Sequence, residues 1–252
     1  MFVKSFFVAL ATYSAIPVPQ FDWTEKNMKY ALCFFPAVGL FCAAGLWLWY
    51  ALCVYLGVSA VLFAAVAAVL PLLITGGIHM DGFMDTVDAL SSHQSRERKL
   101  EIMKDSNCGA FAALYCGIYL LLAFGFLHEL YAMDAVLVLL PVFVLSRCLS
   151  ALCAVTMPGA RSGGMLRAYT RDAAKTAAVT VAVIGAALSG AGMAVLSLVP
   201  GLMGAAFALV SMLVYRRLAM KVFGGVTGDT AGFFLQLCEL MTFVGVWIGG
   251  LV

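Results

Sequence analysis

The sequence predicts an all-α, polytopic integral membrane helical bundle of about seven spans, with a short N-terminal interfacial or re-entrant helix. Three observations lead there. Residues of the AVILMFWYC set make up 64% of the 252 residues, and charged residues only 11%, against about 25% in a typical soluble domain. Mean hydropathy is +1.03, so a surface built from this chain would be mostly apolar and would not stay dispersed in water. The few charges fall in separate segments between apolar runs, and a run of roughly 20 residues is what a helix needs to cross a bilayer.

The elements follow in chain order. Lys4, the apolar run Ser5 to Ile16, and then Pro17 and Pro19 imitate a signal peptide. The chain beyond them is itself membrane-like, so a secreted soluble product is not expected, and the run is short for a span. The long apolar stretch from Tyr30 to Thr75 divides at Gly57-Val58-Ser59 into spans near 30–53 and 58–75, with Pro36 a possible kink in the first. Further spans are expected near 108–127, 135–155, 174–193, 198–215 and 232–251. His128, Glu129 and Asp134 mark the turn after the third.

This alternation puts 20–29, 76–107, 156–173 and 216–231 on one side. Thirteen of the 15 basic residues lie in or beside these segments: Lys26, Lys29, Arg96, Arg98, Lys99, Lys104, Arg161, Arg167, Arg171, Lys175, Arg216, Arg217 and Lys221. The opposite connections carry no Lys or Arg, so the positive-inside rule assigns the charged side to the cytoplasm. The expected organisation is one transmembrane domain over 1–252, with active-site loops near 76–107, 156–173 and 216–231. The eight cysteines contain no CxxC pair and mostly sit inside apolar runs, as small buried hydrophobes do. No nucleic-acid motif, Walker loop, dinucleotide fingerprint or nucleophile elbow occurs, and the dispersed basic residues suit anionic lipid.

The chemistry concentrates in Gly76-Gly77-Ile78-His79-Met80-Asp81-Gly82-Phe83-Met84-Asp85-Thr86-Val87-Asp88. Asp81, Asp85 and Asp88 stand at i, i+4 and i+7, sharing a helical face about 60° wide. Like charges stacked this way repel, and hard carboxylate oxygens suit Mg²⁺ or Mn²⁺, which commonly bring phosphate with them. A solvated acidic helix start is the plainer alternative. His79 suits substrate binding, proton transfer or a structural role alike. Arg96 to Ser106 reads as an amphipathic helix ending at Lys104 and Asp105. Gly224-Gly225-Val226-Thr227-Gly228-Asp229-Thr230 reads as a turn able to hold phosphate or a metal-bound water. Arg147 and Glu239 are intramembrane charges, functional candidates by default or else a structural pair. A transporter with an acidic cation site is the competing class, although no inverted repeat is visible and the polar residues gather at loops.

These motifs resemble the cobalamin-5'-phosphate synthase family, the adenosylcobinamide-GDP ribazoletransferases. The resemblance rests on the Gly76–Asp88 signature, the Arg96–Ser106 stretch followed by Gly109-Ala110-Phe111, the 224–230 turn, Ser146-Arg147, and Ala160-Arg161 with Gly163 or Gly164 after it. It implies a magnesium-dependent phosphotransferase of the inner membrane. That enzyme joins adenosylcobinamide-GDP to α-ribazole or its 5'-phosphate and releases GMP, in the last assembly step of the nucleotide loop. Joined to the residue reading, it implies Asp81, Asp85, Asp88 and Asp229 as Mg²⁺ ligands. A carboxylate or His79 would then serve as proton acceptor, and Lys104, Arg147, Arg161 and Thr227 as substrate or phosphate contacts, with Asp105 and Glu239 as further candidates. The partners implied are the two substrates and the lipid bilayer, with no nucleic acid; a homo-oligomer or association with other cobalamin-assembly enzymes is left open. Two departures stand out: Ser14-Ala15 replaces the family's usual Thr-Arg, and Ala89-Leu90-Ser91-Ser92 follows Asp88 where the family usually has glycines.

Overall fold

Apolar runs become helices here until a glycine or a capping hydroxyl stops them. The computed structural model describes residues 2–252 except Ser106, Ser162, Gly164, Met165, Arg167, Ala168, Arg171 and Asp172. The expectations placed on Ser106, Gly164, Arg167 and Arg171 therefore lie outside the described residues. The elements are α1 (Phe2–Tyr13), α2 (Glu25–Met28), α3 (Ala31–Leu56), α4 (Ala60–Thr75), α5 (Ile78–Ser91), α6 (Arg96–Ile102), α7 (Ala110–Ala132), α8 (Val142–Thr156), α9 (Lys175–Leu196), α10 (Leu198–Leu218) and α11 (Gly228–Gly250). A 3-10 turn, Val136–Leu139, leads into α8, and a π turn, Ala219–Phe223, extends α10. Among the described residues the one β contact is an isolated bridge between Gly159 and Val226.

The expected division at 57–59 is confirmed in detail. Gly57 closes α3 in the left-handed region at φ 67°, and Ser59 opens α4 by accepting the Leu62 amide at 3.4 Å. Among the described residues six helices are long and apolar enough to cross a membrane: α3, α7, α8 with its lead-in, α9, α10 with its extension, and α11. The span expected at 58–75 is the 16-residue α4, about 24 Å long and short of a ~30 Å hydrocarbon layer. It makes a seventh apolar crossing only together with α5, from which it is bent by 97°. We read α4 as that seventh crossing, with α5 turned across the end of the bundle at the 97° bend. The third span overruns its expected end by about a turn, with His128 and Glu129 on the helix and Asp134, at φ 54°, just beyond its end. The N-terminal run is the 12-residue α1, packed on α3 through Val8 and Ala9.

Helix α11 is the hub, packing on α5, α7, α8 and α10. Its contact with α10 is made by small residues. A Cβ placed on Gly245 would stand 2.7 Å from the Met203 carbonyl oxygen, and one on Gly249 2.6 Å from Pro200 Cα, the close backbone approach typical of membrane helix pairs. Large apolar side chains point outward from α3, α7, α9 and α10, including Leu48, Leu121, Leu188 and Leu213, as a lipid-facing belt requires.

The core closes around one ion pair. Arg147 on α8 donates from Nη1 to Glu239 Oε1 on α11 at 2.7 Å, and each residue is only 1% exposed. Ser146 Oγ donates to the same oxygen at 2.9 Å, and Arg147 also reaches the Phe143 carbonyl at 2.9 Å. Away from water this attraction is screened little, but so is the cost of losing either partner. Glu239→Ala is therefore expected to destabilise the protein by about 3–5 kcal/mol by stranding the Arg147 charge. Arg147→Met combined with Glu239→Leu is expected to recover much of that loss. Unfolding in detergent titrations reads both, and an unaffected single variant would show that the pair anchors nothing.

Candidate active site

Two consecutive left-handed glycines create the site. Gly76 and Gly77, at φ 64° and 77°, turn the chain sharply out of α4, a conformation that costs side-chain-bearing residues but not glycine. Gly77 donates back to the Leu72 carbonyl and accepts from the Asp81 amide, so one residue closes α4 and opens α5. Helix α5 buries His79, Met80, Gly82, Phe83, Thr86 and Val87 and leaves Asp81 exposed and Asp85 and Asp88 half-buried. The shared aspartate face expected from the spacing is present.

Asp229 reaches this face through a backbone-to-backbone crossing of α5 and α11. A Cβ on Gly82 would lie 2.8 Å from the Asp229 carbonyl oxygen and 2.9 Å from its Cα, and a Cβ on Gly232 would lie 2.9 Å from the His79 carbonyl oxygen. The result is a crowd of carboxylates. Burial and then the charges of Asp81, Asp229 and Asp88 push the Asp85 carboxyl up to about 7, against the opposing pull of Arg161. Asp105 lines a cleft with Asp81, Asp85 and Cys108. Its own carboxyl accepts from the Asn107 amide and side chain, which hold it below the usual carboxylate range.

Asp88 is used differently from its neighbours. Its Oδ2 accepts the Gly109 amide at 2.6 Å and its Oδ1 the Ala112 amide at 2.8 Å. These are orphan donors of the α7 N-terminus, so the carboxylate caps that span and complements its dipole. Asp81, Asp85 and Asp229 keep oxygens for a ligand. Hard oxygen donors with an excess of negative charge fit a divalent cation in kind. Among the described residues no three His, Cys, Asp or Glu side chains form a ready-made metal cage. That is compatible with Mg²⁺, which is commonly held by one or two carboxylates plus substrate phosphate and water.

The positive side of the site comes from the 161 and 227–229 segments. Arg161 donates from Nη1 to Asp229 Oδ2 at 3.2 Å and from Nη2 to the Leu100 carbonyl at 2.7 Å, tying α6 to the N-terminus of α11; its buried Nε has no partner among the described residues. Thr227 caps α11 reciprocally with Thr230 and stands 3.5 Å from Asp229 Oδ2. Arg161, Lys175, Thr227, Gly228 and Asp229 line a chamber of about 330 Å³. The Arg96 guanidinium covers the Gly224 turn, so closely that a Cβ there would lie 2.0 Å from its Cζ. Lys104 is exposed at the end of α6 and does not line this chamber. Arg147, expected at phosphate, is corrected by the geometry: it is sealed in the core on Glu239, and Glu239 is equally spent on it.

His79 is buried, and its Nε2 has no hydrogen-bond partner among the described residues. Burial, then Arg147, hold its pKa well below the ordinary value, and the ring is neutral. It faces Tyr13 at 6.1 Å and Phe35 at 5.6 Å between ring centroids. Sequence reasoning missed Tyr13, Phe35 and Gly82. Tyr13 and Phe35 look like ordinary members of apolar helices, whereas Gly82 carried a signal, being a glycine inside a helix at a cost of about 1 kcal/mol.

The sequence model for cobalamin-5-phosphate synthase matches residues 5–247. An adenosylcobinamide-GDP ribazoletransferase from Lachnoclostridium phytofermentans is 40% identical over 246 residues, covering 98% of this chain and 94% of the relative. Proteins of the same description from Desulfitobacterium hafniense and Pseudomonas entomophila are 34% and 37% identical, covering 97% and 96% of this chain and 97% of each relative. No solved structure matches the chain. A family match over residues 5–247, with relatives up to 40% identical across nearly the whole chain, means that the chain belongs to the cobalamin-5-phosphate synthase family.

Proposed function

We propose that this chain transfers the adenosylcobinamide-phosphate moiety of adenosylcobinamide-GDP to α-ribazole or α-ribazole 5'-phosphate, releasing GMP, at the cytoplasmic face of the bacterial inner membrane. The observation that carries the reading is the apposition of Asp81, Asp85 and Asp229 with a chamber bearing Arg161 and the N-terminus of α11. Phosphoryl transfer asks a protein mainly for positioning and charge stabilisation, and these are the groups that provide both. The cytoplasmic assignment rests on the sidedness of the basic segments.

In this reading a ribose hydroxyl of the acceptor attacks the phosphorus that carries the cobinamide. The bond from that phosphorus to the bridging oxygen breaks, and GMP departs with the bridging oxygen. Arg161 and the first amides of α11 orient the diphosphate. Asp81, Asp85 and Asp229 are the residues that would hold Mg²⁺, and a carboxylate oxygen of this group receives the hydroxyl proton. When bound, the ion supplies Lewis-acid polarisation of the diphosphate and neutralises charge on the leaving nucleotide. Asp88 holds α7 against the site. The transporter alternative loses its intramembrane charges, since Arg147 and Glu239 neutralise each other.

Purified protein in lipid nanodiscs, given both substrates, is expected to release GMP only with a divalent cation; chelation stops release and Mg²⁺ restores it. Turnover unaffected by chelation would sink the cation site. Asp85→Ala is expected to lower turnover by about 10²–10³-fold with the melting temperature unchanged. Asp88→Ala removes a helix cap, costing about 1 kcal/mol and lowering the melting temperature by about 2–4 °C. A thermally silent Asp88→Ala would contradict its capping role.

A further inference from the structure

Beside the carboxylates lies a second cavity that the transfer chemistry does not explain. It has a volume of about 200 Å³ and lies among α1, α3, α5, α8 and α11. Tyr13, Leu32, Phe35, His79, Ala151 and Ala154 form its walls, and Asp81 and Asp229 stand among its lining residues. Gly228 and Asp229 also line the basic chamber, so the two spaces adjoin across the start of α11. The aromatic wall is continuous: Tyr13 and Phe35 lie 4.5 Å apart, and His79 lies 6.1 Å from Tyr13 at an interplanar angle of 20°. Its small side is Ala151 and Ala154, on α8. The volume is below the roughly 300–1,000 Å³ of sites that enclose a drug-sized ligand, so it suits one planar bicycle.

The polarity of the slot is specific. His79 is 5% exposed, and its Nε2 has no hydrogen-bond partner among the described residues, although such buried groups are normally paired. Tyr13 is delivered by the end of the N-terminal helix, which gives that helix a part in the site. Building on the transfer reading above, we infer that this slot binds the alkylated benzimidazole of the acceptor nucleoside, with His79 Nε2 donating to the one free ring nitrogen. In the tautomer protonated at Nε2, this unpartnered nitrogen meets the single in-plane acceptor of the base, and the remaining edge of the base is hydrocarbon. With the base seated here, its ribose extends toward Asp81 and Asp229 and toward the diphosphate chamber.

Steady-state kinetics on the full chain in nanodiscs tests this, varying α-ribazole and adenosylcobinamide-GDP separately. His79→Phe is expected to raise KM for α-ribazole about tenfold, the scale of one buried hydrogen bond, with KM for the donor within about twofold. His79→Gln, which keeps an N–H donor, is expected to recover part of the loss. On the unaltered protein, an acceptor with the free ring nitrogen replaced by CH is expected to be used about tenfold less well. His79→Phe is expected to use both acceptors equally. Unchanged acceptor KM in His79→Phe, a rise in donor KM in its place, or a fall in kcat alone overturns the inference. So does equal use of the two acceptors by the unaltered protein, a test that stands even where a variant does not fold. Absence of GMP release from the unaltered protein with Mg²⁺ sinks the transfer reading itself, whereas release without acceptor discrimination sinks only the slot.

Discussion

The contact on which the site depends is the crossing of α5 over α11, where Gly82 meets the Asp229 backbone and Gly232 meets His79. No side chain separates the two helices there, so the carboxylates on α5 and the one on α11 enter a single electrostatic neighbourhood. Burial, and then the repulsion among them, raises the Asp85 carboxyl. A fold retains such a crowd at the expense of stability, and sites that violate local consistency in this way are where function concentrates. The same crossing sets His79 at the edge of the aromatic slot, so both spaces depend on two glycines.

Supporting interactions hold that crossing in place from three directions. Asp88 ties the end of α5 to the start of α7 by accepting two orphan amides. Arg161 ties α6 and the 161 segment to Asp229. Beneath them, Arg147 and Glu239 join α8 to α11. Each uses a charged group to satisfy a need that a hydrophobic core cannot meet, and together they divide the charged residues into positioning groups and groups left free for ligand. The free set is Asp81, Asp85 and the remaining oxygens of Asp229, with Arg161 opposite.

Much of this is legible in a line of residues, and the illegible part has a common cause. The aspartate face is a local periodicity, so it survives folding unchanged. The ends of α3 and α4 follow from Gly57, Ser59 and Gly76, whose effects are confined to adjacent residues. Asp88 shares its spacing with Asp81 and Asp85, yet its partners lie 21 and 24 residues further on, and nothing near it announces a cap. Arg147 and Glu239, 92 residues apart, suggested either a pair or two separate functional charges; the distance between them decides for the pair. Tyr13 and Phe35 carried no signal because aromatic residues are ordinary in apolar helices.

The sequence by itself determined the membrane class, the approximate spans, the grouping of the basic residues into a few segments between apolar runs and the identity of the acidic motif. All of these depend on composition and short-range pattern, which act before any helix meets another. Only the tertiary structure decided which carboxylates converge, which are spent as cap or counter-ion, and that the N-terminal helix lends Tyr13 to a slot beside them. Those outcomes depend on how closely helices approach, and that distance is set by glycines and buried pairs whose partners are remote in the chain.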